Sequence, residues 1–196
     1  VQIITSITDP ELAMLLHSDH VGVIPTDTVY GLAARATSPA AVERLYALKH
    51  RERKPGTIIA ANVEQLLDLG IDHDTIMKVA RYWPAPLSIV LPLSDEMHYL
   101  HQGVGSAAFR VVADETLRML LEQTGPLATS SANLPGEVPA RNLREAQAYF
   151  GDHVDFYVDG GDIGDREPST VARLGEYGLE ILRPGAANIT EETTQP

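Results

Sequence analysis

Short apolar runs alternate with capped amphipathic stretches along this chain, and that alternation restricts the fold more than any other feature. Asp9-Pro10 is a helix start, an N-cap followed by proline at the first helical position, and predicts a helix over 11–18. Ser38-Pro39 repeats the signal and opens a helix in which Ala41, Leu45 and Leu48 share one apolar face. Asn62 and Asp72 cap two more helices, reaching Leu69 and Tyr82, and further helices are expected over 114–123 and 142–150. Strands are expected over 21–24, 57–61, 88–92, 107–112 and 127–129, then 156–158, 170–174 and 179–182. The pattern predicts an α/β or α+β sheet with helices packed on it. The last third holds more strand than helix, so antiparallel strands are expected there. One domain is expected over 1–187, followed by a polar, frayed tail over 188–196.

Charge and composition narrow the function. The 196 residues carry 15 Lys and Arg against 27 Asp and Glu, a formal net of −12 (15 − 27). Such a field repels a long polyanion or an anionic membrane while leaving room for one local basic cleft. Cysteine is absent, which excludes disulfide scaffolds, thiol nucleophiles and thiolate metal sites. No run approaches the ~18 apolar residues a membrane span needs. The start, Val1-Gln2-Ile3-Ile4-Thr5, lacks a basic n-region and an apolar h-region, so a signal peptide is not expected and a cytoplasmic location is.

Several nucleotide and metal motifs are missing. There is no G-x-x-x-x-G-K-[ST] and no G-x-G-x-x-G after a strand, so a bound nucleotide is not held by a P-loop or a dinucleotide fingerprint. His98 and His101 share an i, i+3 spacing without a third ligand, and no metal site is expected. The acidic stretch from Asp159 to Asp165 lacks EF-hand spacing and reads as a tight turn.

Four clusters remain. Pro25-Thr26-Asp27-Thr28-Val29-Tyr30-Gly31 follows a strand, where hydroxyls can orient a small polar ligand, or where Thr26 or Asp27 can close a local turn. Lys49-His50-Arg51-Glu52-Arg53-Lys54 is a basic patch at a helix end. If that segment is extended, Lys49 and Arg51 point the same way and can clamp a phosphate or carboxylate; if not, it is a solvated face favoured by the helix C-terminus. Ser131 and Asn133 leave another strand with the same i, i+2 relation, beside Thr129, and no serine elbow accompanies them. Finally, Ser169-Thr170-Val171 is followed by Leu182-Arg183-Pro184-Gly185, which holds Arg183 at a turn.

In this order the clusters resemble the YrdC-type threonylcarbamoyl-adenylate synthase family, in its short bacterial form. Tyr82-Trp83-Pro84-Ala85-Pro86-Leu87-Ser88 is similar to the family's W-P-G-P-L-T segment, and Phe109-Arg110-Val111 to its strand bearing a substrate-binding arginine. Glu52 stands where the family reads proline after K-x-R, and Val112 where it commonly has proline. The resemblance implies a twisted mixed sheet with flanking helices around a deep basic cavity. It also implies the conversion of L-threonine, bicarbonate and ATP to threonylcarbamoyl-AMP, pyrophosphate and water, with Mg2+ on the ATP. That reaction is the first step of the t6A modification of tRNA.

Carried over by position, Lys49, Arg51, Ser131 and Asn133 form the catalytic tetrad. Thr26, Arg110 and Thr129 bind threonine and bicarbonate, and Tyr30, Arg141, Ser169 and Arg183 bind the nucleotide. The implied partners are the three substrates and a downstream t6A transferase complex, with weak or indirect tRNA contact and no membrane. Two other roles belong to relatives of this fold. One is an RNA-binding module in ribosome maturation, served by the basic patch. The other is a hydrogenase-maturation enzyme, which sits in longer, zinc-bearing chains.

Overall fold

The helix starts read from the sequence are made as hydrogen bonds in the computed structural model, which describes residues 1–50 and 53–189. Helix α1 (Pro10–His17) is capped by Asp9, whose carboxylate accepts from Glu11 N at 3.0 Å. Ser38 caps α2 (Pro39–Leu48), and Asn62 caps α3 (Val63–Asp68) by accepting from Gln65 N at 3.0 Å. Asp72 caps α4 (His73–Val79), which continues as a 3-10 turn to Tyr82. After the one-turn α5 (His98–His101), Asp114 caps α6 (Glu115–Thr124) and Asn142 caps α7 (Leu143–Phe150). Each such cap satisfies an otherwise unpaired N–H and stabilises its helix by about 1 kcal/mol.

The strands are β1 (Gln2–Ile4), β2 (Gly22–Ile24), β3 (Gly31–Arg35), β4 (Thr57–Ala60) and β5 (Leu87–Pro92), then β6 (Ser106–Val111), β7 (Leu127–Ser131), β8 (Phe156–Val158), β9 (Thr170–Leu174) and β10 (Leu179–Arg183). They form one ten-stranded mixed sheet in the order β1-β8-β2-β3-β7-β4-β6-β5-β9-β10. The antiparallel pairing expected near the C-terminus is present between β9 and β10, while β8 runs parallel to β1 and β2. Two strands had no sequence signal, β1 and β3. Gly31-Leu32-Ala33-Ala34-Arg35 has no β-branched residue, yet it lies between β2 and β7 with its alanines fully buried. Tertiary pairing overrides weak local propensity there.

Helices cover both faces. Leu12 and Leu16 of α1 and Leu117 and Leu121 of α6 pack with Ile24, Ile59 and Phe156 on one side. Leu45 of α2, Ile76 of α4 and Phe150 of α7 join Ile58, Phe109 and Tyr157 on the other. Strand alternation divides β6 the same way. Ala107, Phe109 and Val111 enter this second core, which leaves Ser106, Ala108 and Arg110 to face a cavity at the middle of the sheet. At the C-terminal end Ile189 is packed against the core, and residues 190–196 of the expected tail lie outside the described residues. No helix among the described residues is long and apolar enough to cross a membrane.

Candidate active site

The cavity has a volume of about 530 Å³ and opens between the loop after β2, the start of β4, β6, the end of β7 and the segments flanking β9 and β10. Its described lining includes two arginines, Arg110 and Arg183, a set of threonine and serine hydroxyls, and no aspartate or glutamate. In a chain of net −12 that is a local inversion of sign.

Backbone features keep the cavity open. Gly56 lines it just before β4, and a Cβ there would collide with the Thr129 carbonyl oxygen. Gly185, after Arg183-Pro184, meets the Pro168 carbonyl in the same way, so the β10 end can close against Pro168-Ser169. Ala186 N then donates to Pro168 O at 2.9 Å.

Lys49, Ser131 and Asn133 are brought together. Lys49 Nζ donates to Ser131 O at 2.7 Å and to Asn133 Oδ1 at 2.8 Å, and also to the Asn133 carbonyl. Ser131 Oγ donates to the same Oδ1 at 2.7 Å, and Asn133 Nδ2 donates to Glu137 O at 2.6 Å. Ser131 and Asn133 line the cavity, with Lys49, only 3% exposed, bonded to them from α2. Arg51 and Glu52 lie outside the described residues. At Lys49 and His50 the backbone is not extended. Lys49 is the C-cap of α2, and His50 has a φ of 47°, so the chain turns at that point.

Thr26 and Thr129 line the cavity, each with its hydroxyl donated to a backbone carbonyl. Thr26 Oγ1 donates to Val29 O at 2.6 Å and Thr129 Oγ1 to Thr57 O at 2.8 Å. The Thr129 hydroxyl keeps acceptor capacity for a ligand, whereas Thr26 Oγ1 also accepts from Thr28 N at 3.2 Å. Ser130 lines the cavity too, and its buried Oγ has no partner among the described residues.

Arg110 is 4% exposed and pairs with Asp27, 7% exposed, through Nη2 and Oδ1 at 2.8 Å. Burial pushes the Asp27 carboxyl above its ordinary range, against the attraction of Arg110. Burial likewise lowers the Arg110 guanidinium, against the attraction of Asp27, and the charge of Arg183 lowers it further. Two atoms of this pair, Asp27 Oδ2 and Arg110 Nε, are buried without a partner among the described residues.

Arg183, at the end of the edge strand β10, is exposed and donates through Nη2 to Ser169 O at 2.8 Å. It has no carboxylate partner among the described residues. The Ser169 hydroxyl meets that of Ser88 at 2.9 Å, across β9 and β5.

Two expected nucleotide ligands do not reach the cavity. Tyr30 is fully buried; its hydroxyl donates to Gly161 O at 2.9 Å and accepts from Gly160 N at 2.7 Å. It anchors the acidic turn 159–165, whose Asp159 and Asp162 accept from Gly161 N and Gly164 N. Arg141 points instead to Glu145 at 2.9 Å and Asp165 at 3.3 Å, on the exposed side of the β7–α7 connection. In both cases a nearer partner consumes the polar group.

Asp27 is the site residue that sequence reasoning missed. It sat inside a recognised cluster but read equally well as a turn former, because its partner is 83 residues away. His101, considered as half of a metal pair, accepts instead from Gly103 N and Gly105 N, each at 3.1 Å, and so shapes the loop before β6.

Comparison with known proteins settles the family. Residues 14–185 match the Sua5/YciO/YrdC model, described as "Telomere recombination". The chain belongs to the Sua5/YciO/YrdC family. A threonylcarbamoyl-AMP synthase of Idiomarina loihiensis is 36% identical over 154 residues, covering 75% of this chain and 83% of that protein. One of Photobacterium profundum is 33% identical over 182 residues, 89% of this chain and 97% of that one. The crystal structure of Pyrococcus abyssi Sua5 complexed with L-threonine superposes with a TM-score of 0.79 at 31% identity. It is matched over 94% of this chain, which spans only 57% of that longer archaeal protein.

Proposed function

We propose that this chain is an L-threonylcarbamoyladenylate synthase, a nucleotidyltransferase that makes threonylcarbamoyl-AMP from L-threonine, bicarbonate and ATP for t6A biosynthesis. The observation that carries the reading is a cavity in an acidic protein whose described lining holds two arginines and hydroxyls and no carboxylate. Such a lining suits several small anions held at once.

In this reading the threonine amine attacks bicarbonate and water leaves, giving an N-carboxylate. A carboxylate oxygen then attacks the α-phosphorus of ATP, the bond to the bridging oxygen breaks, and pyrophosphate departs. Arg110 binds the threonine carboxylate, with Thr26 and Thr129 beside it. Arg183 and Ser169 meet the phosphates. Lys49 fixes Ser131 and Asn133 through its bonds to them, so that hydroxyl and amide face the reacting groups. Arg51, adjacent in sequence, supplies a further cation.

Mg2+ bound to ATP would neutralise charge on the departing pyrophosphate; among the described residues no cluster of three or more His, Cys, Asp or Glu is placed to hold an ion. The product passes to a t6A transferase complex in the cytoplasm. Contact with tRNA is weak or indirect, since the chain is acidic and Lys49 of the basic patch turns inward.

The test is pyrophosphate release from ATP and Mg2+ with threonine and bicarbonate each omitted in turn, with the adenylate identified by mass spectrometry. Release that ignores threonine overturns the proposal. Tight tRNA binding that falls steeply with salt would revive the RNA-binding role.

A further inference from the structure

The two cavity arginines differ in one respect that bears on selectivity: Arg110 carries a buried carboxylate partner, and Arg183 pairs with no carboxylate among the described residues. We propose that Asp27 is a specificity-determining positioning residue, which makes the Arg110 end of the cavity select a zwitterionic α-amino acid over a simple anion of the same shape.

Asp27 does not line the cavity, but Thr26 and Thr28 on either side of it do, and so does its partner Arg110. Its carboxylate therefore acts on a ligand through Arg110 and through space. An unpaired guanidinium attracts any carboxylate, phosphate or bicarbonate. A guanidinium held 2.8 Å from a buried carboxylate is instead a short dipole with little net charge. A net-neutral zwitterion aligns with such a dipole, its carboxylate on the guanidinium and its ammonium toward the Asp27 side. A des-amino acid gains the first contact and meets the uncompensated field of Asp27. Low exposure of both side chains limits solvent screening and makes the difference felt.

Local geometry supports a fixed orientation. Thr28 N donates to Thr26 Oγ1 at 3.2 Å, and the same hydroxyl donates to Val29 O at 2.6 Å, so the turn that carries Asp27 is bonded on both sides of it. Asp27 Oδ2 and Arg110 Nε, both buried, have no partner among the described residues. Both atoms are shielded from solvent, so the pair acts on a ligand through its field rather than through these atoms. The charge of Arg183 also reaches Arg110. Without Asp27 the cavity would present two bare cations, and phosphate groups could occupy either end.

The inference rests on the reading that threonine binds here, and one experiment separates the two. Binding of L-threonine and of 3-hydroxybutyrate, which keeps the carboxylate and hydroxyl but lacks the amine, is measured by calorimetry on the wild-type protein and on Asp27→Asn. The wild type is expected to prefer threonine by at least about tenfold, and Asp27→Asn to lower that ratio by about tenfold or more. The ATP affinity serves as a control that a wholesale structural change would move, and the melting temperature confirms that the variant is folded under the conditions of the assay. A wild-type protein that binds neither compound overturns the function and this inference together. Threonine binding with a ratio that Asp27→Asn leaves unchanged overturns the inference alone. If Asp27→Asn does not fold, the wild-type ratio still decides: equal affinity for the two compounds overturns it, and a tenfold preference supports it.

Discussion

Arg110 and Arg183 reach one cavity from very different ground. Arg110 rises from β6 in the interior of the sheet, almost wholly buried and held by Asp27. Arg183 ends the edge strand β10, exposed and, among the described residues, held by a backbone carbonyl. A buried guanidinium must be neutralised or lose much of the stability it gives, whereas an edge guanidinium can stay unpaired because water solvates it. The interior arginine is therefore committed to one geometry. The edge arginine has no carboxylate partner among the described residues. On the proposed function, the division between an amino-acid end and a phosphate end follows from where in the sheet each arginine stands.

The largest expected effect tests the interior side. Arg110→Ala strands Asp27 as a buried, unpaired carboxylate and should cost about 3–5 kcal/mol of unfolding free energy in denaturant melts. A loss no greater than that of Arg183→Ala would break the comparison. Next comes the edge: Arg183→Ala should weaken ATP binding by about ten- to a hundredfold while leaving stability nearly unchanged. A comparable loss of threonine binding would show that the two ends are not separate.

Ser169→Ala, which deprives the buried Ser88 hydroxyl of its partner, should cost about 1 kcal/mol in thermal or denaturant unfolding. No change at all would mean that the hydroxyl pair does not tie β9 to β5 at the nucleotide end. The smallest effect is in pH. Burial raises the folded-state pKa of Asp27 above its ordinary 3.8, so the native chain holds that proton more tightly than the unfolded one. The stability linked to this proton is full below the ordinary value and is lost as pH rises through the raised one. Wild-type stability minus that of Asp27→Asn should therefore fall as pH rises above 3.8. A rising difference would mean that the attraction of Arg110 outweighs burial.

Much of this arrangement was legible in the residues. The Asp9-Pro10 and Ser38-Pro39 caps, the Asn62, Asp72, Asp114 and Asn142 caps and the apolar strands fall where local chemistry put them. Caps and turns act over two or three residues, so a linear reading can find them. Ser131 and Asn133 were also visible, because i, i+2 spacing after a strand survives folding. The fate of Lys49 was not. A basic cluster at a helix end reads either as a clamp for an anion or as a solvated face. The Lys49 ammonium instead bonds inward to β7 and the loop beyond it, so Lys49→Ala should lose stability as well as activity.

By itself, then, the sequence determined the capped helices, most of the strands, the family and the set of hydroxyl and cationic side chains available to a site. Only the tertiary structure decided which of those groups are free to act. It gave Tyr30 to the acidic turn and Arg141 to Glu145, and it brought Asp27 to Arg110 across 83 residues of chain. The physical reason is that a polar side chain's role depends on its nearest partner and on its distance from water. Both are set by which strands become neighbours in the sheet, and strand neighbours are not neighbours in sequence.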